Sequence, residues 1–166
     1  HPGSLYRVYA RLGFTKEKIR PTNKYKPQKY HTPETIGIKW QVDVKFVPKP
    51  CYVGPYENEF FQYTAIDEAS RERFIYPFME HNELATVEFI QRAITYFGYA
   101  PEVIQTDNGF EFTKISYPDQ PSDLDKLCNS LGIEHKLIRP RTPRHNGKVE
   151  RSHRIDQERF YNFLSF

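Results

Sequence analysis

Residues 40 to 46 read Trp-Gln-Val-Asp-Val-Lys-Phe and form the first predicted strand, from which the rest of the fold is argued. Large apolar side chains alternate with polar ones along it, which is the two-residue period of a β-strand. The alternation predicts that Trp40 and Val42 face a core while Asp43 lies on the opposite face. Such an aspartate is a candidate for chemistry or for simple solvent exposure, and the strand alone does not separate the two.

The segments that follow predict a mixed sheet flanked by helices. Residues 60 to 66 and 73 to 78 are rich in aromatic and β-branched residues, so with the first strand they predict an antiparallel meander. Strands and helices then alternate, which favours an α/β fold with five strands. The predicted later elements are strands at 103–106 and 133–138 and helices at 83–97, 122–131 and from Lys148 onward.

Residues 1–35 are expected to form an N-terminal helix and a basic linker, ahead of a second domain at 36–166. Apolar residues keep helical spacing between Ser4, a candidate N-cap, and Gly13, a candidate stop. This helix is either the remnant of a helix-turn-helix domain or a packing arm of the second domain. The lysine- and proline-rich segment beyond it is typical of a linker.

Charge and composition limit the function classes. Residues 1 to 50 hold 11 Lys/Arg and 3 Asp/Glu, whereas the remainder holds 13 and 18. This asymmetry suits a polyanionic partner, with a solubilising basic tail as the alternative. The sequence contains no apolar run of about 18 residues and no signal-like segment, so we expect no membrane span and a cytoplasmic location. Cys51 and Cys128 form no Cys-x-x-Cys unit, so we expect reduced thiols.

Three carboxylates on three predicted elements are the candidate catalytic groups. Asp43 lies on the first strand, Asp107 opens an Asp-Asn-Gly turn after the strand 103–106, and Glu150 lies on the last helix. Each has a structural alternative: an exposed strand face, a tight turn, and an i,i+4 pair with Arg154 on a solvated helix face. Phosphoryl transfer uses divalent cations with oxygen ligands, so these three acids are a sufficient set if the fold brings them together.

Three sequence blocks in order resemble a known family. They are Trp40-Gln-Val-Asp43-Val-Lys, Thr106-Asp-Asn-Gly-x-Glu-Phe112 and Pro143-Arg-His-Asn-Gly-Lys-Val-Glu150-Arg-Ser-His153. These blocks are similar to those of retroviral integrase and bacterial insertion-sequence transposase catalytic cores, the DDE superfamily, and the third is closer to the bacterial enzymes. The resemblance covers roughly residues 36 to 164. It implies a ribonuclease-H-like fold with the first acid on the first strand, the second after the fourth strand and the third on a later helix.

The resemblance implies a polynucleotidyl transferase that cleaves a DNA phosphodiester bond and then joins the freed 3′-hydroxyl to target DNA. Asp43, Asp107 and Glu150 would bind Mg²⁺, with Mn²⁺ able to substitute and two ions in the active complex. We expect a homo-oligomer on element ends and target DNA, and nucleoid association in a bacterial cell. Two alternatives stay open: a ribonuclease-H-like nuclease that only hydrolyses, and a non-catalytic DNA-binding or multimerisation module.

The spacing departs from the family pattern. Between Asp107 and Glu150 lie 42 residues, a longer interval than is common in the family. We expect the surplus at 113–122, where a longer loop moves neither acid. The zinc-binding His and Cys module of retroviral integrases has no counterpart in this sequence, so no zinc is expected.

Basic and polar residues near Asp107 and Glu150 are candidate DNA contacts, with a solvated surface as the alternative. Such contacts would be largely independent of base sequence. Lys148 and Arg151 are favoured because the resemblance places them on the helix of Glu150, and for His153 we expect DNA contact or packing. The full candidate set is Asn108, Arg144, His145, Asn146, Lys148, Arg151 and Arg154.

Overall fold

The computed structural model describes residues 2–14, 30–55, 57–114, 117, 119–138 and 146–166. The chain divides into two compact units, His1–Tyr30 and His31–Phe166. The predicted linker lies largely outside the described residues, and the predicted domain boundary after residue 35 stays a prediction.

The first unit contains helix α1, Pro2–Arg11. The helix ends as predicted before Gly13, whose positive φ of 73° suits a residue without a side chain. The predicted N-cap at Ser4 is wrong, because the helix already begins at Pro2. Proline is well suited to the first helical turn, since its fixed φ is helical and its missing N–H would have no partner there.

The second unit is built on one five-stranded sheet in the order β3-β2-β1-β4-β5. The first three strands pair antiparallel, and β4 and β5 run parallel to β1. This confirms the predicted α/β class, the mixed sheet and the antiparallel meander. The strands are β1 Lys39–Phe46, β2 Phe61–Asp67, β3 Arg73–Phe78, β4 Val103–Thr106 and β5 Glu134–Leu137.

Three helices flank the sheet, and local sequence sets the ends of two of them. The Asn82 side chain accepts a hydrogen bond from the Ala85 N–H at 2.9 Å, and Ser122 forms a capping box with Asp125. The last helix begins next to the predicted start at Lys148 and continues toward the C-terminus as a π-helical turn, Gln157–Tyr161. The helices are α2 Glu83–Phe97, α3 Asp123–Leu131 and α4 Gly147–Asp156.

The apolar core lies on the face of the sheet covered by α2 and α3. Trp40 is fully buried there, with its ring 4.6 Å from that of Phe97. Side chains of β1 and β2 that point the other way meet α4, as the hydrogen bonds of Gln41 and Gln62 to that helix demonstrate. Both faces of these central strands are therefore covered. Nowhere in the described part of the chain does a helix reach the length and apolar character needed to cross a membrane.

Candidate active site

The three candidate acids lie on neighbouring elements at one end of the sheet. Asp43 is in β1, and Asp107 directly follows β4, the parallel neighbour of β1. The pairing of Gln41 with Gln105, extended by two residues, brings Asp107 level with Asp43 on the same face. Glu150 lies in the first turn of α4, the helix that packs on this face.

Burial and neighbouring negative charges raise the pKa of two of the three carboxyl groups. Burial raises the pKa of Glu150 above its usual value, and the negative charges of Asp43 and Asp107 raise it further. Burial also raises the pKa of Asp107, and the charges of Asp43 and Glu111 add to this effect against a hydrogen bond from Gly109. Like charges held together in this way favour the protonated form unless a cation compensates them.

The donor set suits a hard divalent cation. All three side chains offer oxygen, the ligand that magnesium prefers, and magnesium usually takes few protein carboxylates and keeps several waters. Within the described residues no three His, Cys, Asp or Glu side chains already converge closely enough to hold one ion. The charges of these acids therefore affect one another, but their carboxylate oxygens do not surround a single point where one ion could bind.

Asp43 is held in place from α4. Its Oδ1 accepts a hydrogen bond from the Val44 N–H at 3.0 Å, and its Oδ2 lies 3.4 Å from Nδ1 of His153. The other ring nitrogen of this histidine lies 3.0 Å from Oγ1 of Thr64. His153 follows Glu150 by one helical turn and is buried, so it packs between the helix and strands β1 and β2.

Asp107 opens the predicted tight turn. Its Oδ1 accepts a hydrogen bond from the Gly109 N–H at 2.9 Å. Asn108 is exposed and donates from Nδ2 to the Ile138 carbonyl at 3.0 Å, which ties the turn to the end of β5. Asp107 therefore lies in a tight turn and at the candidate site at once, so the two predictions for this motif are compatible.

Sequence reasoning gave no role to Glu111, which also faces the site. Its side chain is nearly buried, its Oε1 lies 3.0 Å from Nε2 of His81, and its charge contributes to the raised pKa of Asp107. The glutamate is part of the second sequence block, which was the available signal. Its burial against His81 follows from the fold, because the two residues are far apart in sequence.

Two further residues that sequence reasoning missed set the start of α4. Gln41 accepts hydrogen bonds from the backbone N–H groups of Lys148 and Val149. Its amide nitrogen donates to Glu68, which is fully buried. No motif marks Glu68, because a glutamate in a predicted loop is normally solvent-exposed.

The predicted DNA contacts occupy different environments. Arg151 and Arg154 are exposed and, with Glu150 and Arg159, line a cavity of about 680 Å³. Arg154 pairs with Glu158 at 2.8 Å, so the alternative pairing of Arg154 with Glu150 is not what the structure contains. These arginines leave a basic groove beside the Glu150 carboxylate.

The other predicted DNA contacts are less accessible or undescribed. Asn146 is buried, with its amide nitrogen 3.5 Å from the Val42 carbonyl. Lys148 is directed toward Glu68, and its amine would have to leave that carboxylate to reach a phosphate. Arg144 and His145 lie outside the described residues. DNA contact at all of these positions stays a prediction.

Known proteins resemble the chain in sequence. The model of the integrase core domain family matches residues 35–143. "Putative integrase ORF3" of Spiroplasma virus SpV1-C74 is 30% identical over 90% of this chain and 44% of its own length. The retrovirus-related Pol polyprotein from transposon TNT 1-94 of Nicotiana tabacum is 30% identical over 64% of this chain and 8% of its own length. The chain therefore spans less than half of either relative.

Solved structures share the fold at lower sequence identity. A simian T-cell lymphotropic virus intasome, in complex with the PP2A regulatory subunit B56 gamma, has a TM-score of 0.67 at 22% identity, over 87% of this chain and 47% of that one. The HTLV-2 integrase catalytic core domain in complex with magnesium has a TM-score of 0.55 at 21% identity, over 74% of this chain and 68% of that one. These likenesses confirm the predicted ribonuclease-H-like fold. With the family match over most of the second unit, they lead to one conclusion: the chain belongs to the integrase core domain family.

Proposed function

We propose that this chain is the catalytic core of a DNA integrase or transposase, in which Asp43, Asp107 and Glu150 bind divalent cations for DNA cleavage and strand transfer. The observation that carries the proposal is the position of the three acids at one end of the sheet, on β1, directly after its parallel neighbour β4, and in the first turn of α4. It is supported by membership of the integrase core domain family. Magnesium is the proposed ion, since the HTLV-2 core was solved in complex with it.

Each residue has a separate task in the proposed mechanism. A bound divalent cation would neutralise charge on the scissile phosphate and activate the attacking oxygen. Asp43 and Asp107, on neighbouring strands, are proposed to hold one ion jointly, and Glu150 to complete the site of a second. His153 keeps the Asp43 carboxylate oriented through its contact with Oδ2. No covalent bond between protein and DNA is needed.

The DNA is proposed to lie along the basic groove beside Glu150. Arg151 is exposed there, so its guanidinium is available for a backbone phosphate. Arg154 can bind phosphate if it leaves its exposed pair with Glu158. Such exposed ion pairs contribute little to stability, so their loss costs little. Asn108, beside Asp107, is a further proposed contact, and Arg144, His145 and Asn146 are retained as proposed contacts from the sequence alone.

Assembly of several copies on DNA is also proposed. The structural neighbours include an intasome and both dimeric and trimeric forms of the HTLV-2 core domain. One core supplies one set of three acids, whereas joining an element requires two DNA ends, so at least two active sites are expected to act together.

A strand-joining assay tests the proposal and separates it from its rivals. The substrate is a precleaved oligonucleotide with a free 3′-hydroxyl, incubated with target DNA and Mn²⁺ or Mg²⁺. A transferase yields a longer joined strand, a hydrolytic nuclease yields shortened strands alone, and a binding module yields neither.

Acid variants in the same assay test the site. We expect Asp43→Asn, Asp107→Asn and Glu150→Gln each to reduce joining by at least about a hundredfold, because ligand loss removes several kcal/mol of charge stabilisation. Glu88→Gln, on the exposed surface of α2, is the matched control and should join normally. Normal joining by any of the three acid variants would refute the assignment.

A further inference from the structure

We propose that Glu68 and Gln41 are positioning residues for Glu150, and that Lys148 completes their buried network instead of binding DNA phosphate. This inference rests on the proposed function, because it concerns how the Glu150 carboxylate is held toward the other two acids. The network has three parts. The Gln41 side chain caps α4, the Glu68 carboxylate orients the Gln41 amide, and the Lys148 amine compensates the charge of Glu68.

The cap on α4 comes from strand β1. Asn146, the residue before the helix, makes no side-chain hydrogen bond to the first turn. Instead, Oε1 of Gln41 accepts from the backbone N–H groups of Lys148 and the following residue, at 3.0 and 3.2 Å. The first N–H groups of a helix have no partner within the helix, so an acceptor from outside fixes where the helix begins. Gln41 precedes Asp43 by two residues, so one strand carries both the first acid and the cap for the helix of Glu150.

Glu68 determines the direction of that cap. The amide nitrogen of Gln41 donates to Oε1 of Glu68 at 2.7 Å. An ionised carboxylate accepts hydrogen bonds and donates none, so it attracts the amide nitrogen and leaves the amide oxygen directed at the helix. Glu68 is fully buried, so water does not compete for this hydrogen bond.

Lys148 and Lys39 compensate the buried charge of Glu68. The Lys148 amine lies 2.9 Å from Oε2 of Glu68, and the Lys39 amine lies 3.5 Å from Oε1. The Lys148 amine also donates to the Glu68 carbonyl at 3.3 Å and to Oγ1 of Thr32 at 3.0 Å. An ammonium group donates through its N–H bonds, and these oxygens are suitable acceptors for it.

A phosphate contact by Lys148 would dismantle this arrangement. The amine would leave a fully buried carboxylate, and such charges are costly when they lose a partner. Arg151, exposed on the same helix, can reach phosphate without that cost. The network thus explains why a lysine beside the catalytic glutamate turns toward the protein.

Two substitutions distinguish a positioning role of Lys148 from a phosphate-binding role. We expect Glu68→Gln and Lys148→Met each to lower kcat for joining by about ten- to a hundredfold, because small displacements of reacting groups have effects of that size. The Kd for DNA and its salt dependence should stay as in the wild type. If Lys148 binds phosphate, Lys148→Met weakens DNA binding and reduces the salt slope by about one, while Glu68→Gln keeps its kcat. That second pattern would overturn the proposal.

Gln41→Met provides a test that leaves the buried ion pairs intact. We expect it to lower kcat by a similar factor and to speed amide hydrogen exchange in the first turn of α4 by at least about tenfold. Unchanged exchange and kcat would contradict a capping role. Glu59→Gln, in an exposed pair with Lys49, is the control and should match the wild type in both measurements.

The two proposals can fail separately. If the wild type joins no DNA with Mn²⁺, the proposed function fails, while hydrogen exchange in Gln41→Met and the salt slope of Lys148→Met still decide the network. If the wild type joins DNA and Glu68→Gln joins equally well, the positioning role fails and the proposed function stands. Thermal unfolding of each variant, compared with Glu59→Gln, identifies a variant that does not fold, and Gln41→Met then replaces it.

Discussion

At the scale of single residues, repulsion among the negative charges of the site destabilises the folded chain. Burial and neighbouring carboxylates raise the pKa of Asp107 and Glu150 above their usual values. A carboxyl group with a higher pKa in the folded than in the unfolded chain binds more protons when folded. The free energy of unfolding therefore falls as pH rises from the unfolded pKa, about 4, through the folded one. The destabilisation is absent at lower pH and complete above that window.

Neutral variants should remove this pH-dependent destabilisation. At pH 7 and without divalent cations, we expect Asp107→Asn and Glu150→Gln to unfold at temperatures no lower than the wild type. Each should also show a smaller loss of stability between about pH 4 and 7. Thermal unfolding over a pH series measures both effects, with Asp119→Asn as an exposed control that keeps the wild-type profile. Lower unfolding temperatures for both acid variants at pH 7 would contradict the coupling.

At the scale of elements, helix α4 has the largest effect on the geometry of the site, because it places Glu150 beside the strands of the other two acids. Its start is capped by Gln41. Near its end, Asp156 is 2.8 Å from the guanidinium of Arg73 in β3 and accepts a hydrogen bond of 2.8 Å from Gln62 in β2. The helix thus contacts the sheet near both of its ends, on either side of Glu150.

Removal of the anchor at the end of α4 should cost stability. Arg73→Ala leaves the largely buried Asp156 without its cation, so we expect the free energy of unfolding to fall by about 1–3 kcal/mol. Urea denaturation measures this change. Lys126→Ala removes one partner of an exposed pair with Asp123 and should change stability much less than Arg73→Ala, because solvent screens exposed pairs. Equal effects of the two substitutions would show that the anchor does not stabilise the helix.

The elements could be predicted from sequence because their signals are local. The caps at Asn82 and Ser122 depend on residues within one turn, and the strand pattern around Asp43 depends on alternate residues. The role of Glu68 depends on α4, which lies far along the chain, so no local pattern reveals it. For Arg154 the reason is local, since Glu150 and Glu158 lie one turn before and one turn after it and both are in reach.

At the scale of the whole molecule, an acidic centre lies beside a groove lined by exposed arginines. Carboxylates coupled at one end of the sheet suit cations, and the arginines of α4 suit the phosphates that those cations would act on. The chain spans 44% of the length of "Putative integrase ORF3".

The groove should bind DNA through phosphates with little sequence preference. We expect Arg151→Ala to weaken binding about equally for unrelated DNA sequences and to reduce the salt slope of the affinity by about one. Fluorescence anisotropy at several salt concentrations measures this. Arg92→Ala, in an exposed pair with Glu88 on α2, should bind like the wild type. An effect confined to one DNA sequence would indicate base recognition and contradict a phosphate contact.

Metal binding by the three acids is tested by an anomalous difference map from crystals of the chain bound to DNA in the presence of Mn²⁺. We expect a manganese peak contacted by Asp43 and Asp107, and a second peak contacted by Glu150. An absence of manganese at these carboxylates in the DNA-bound crystal would contradict this expectation.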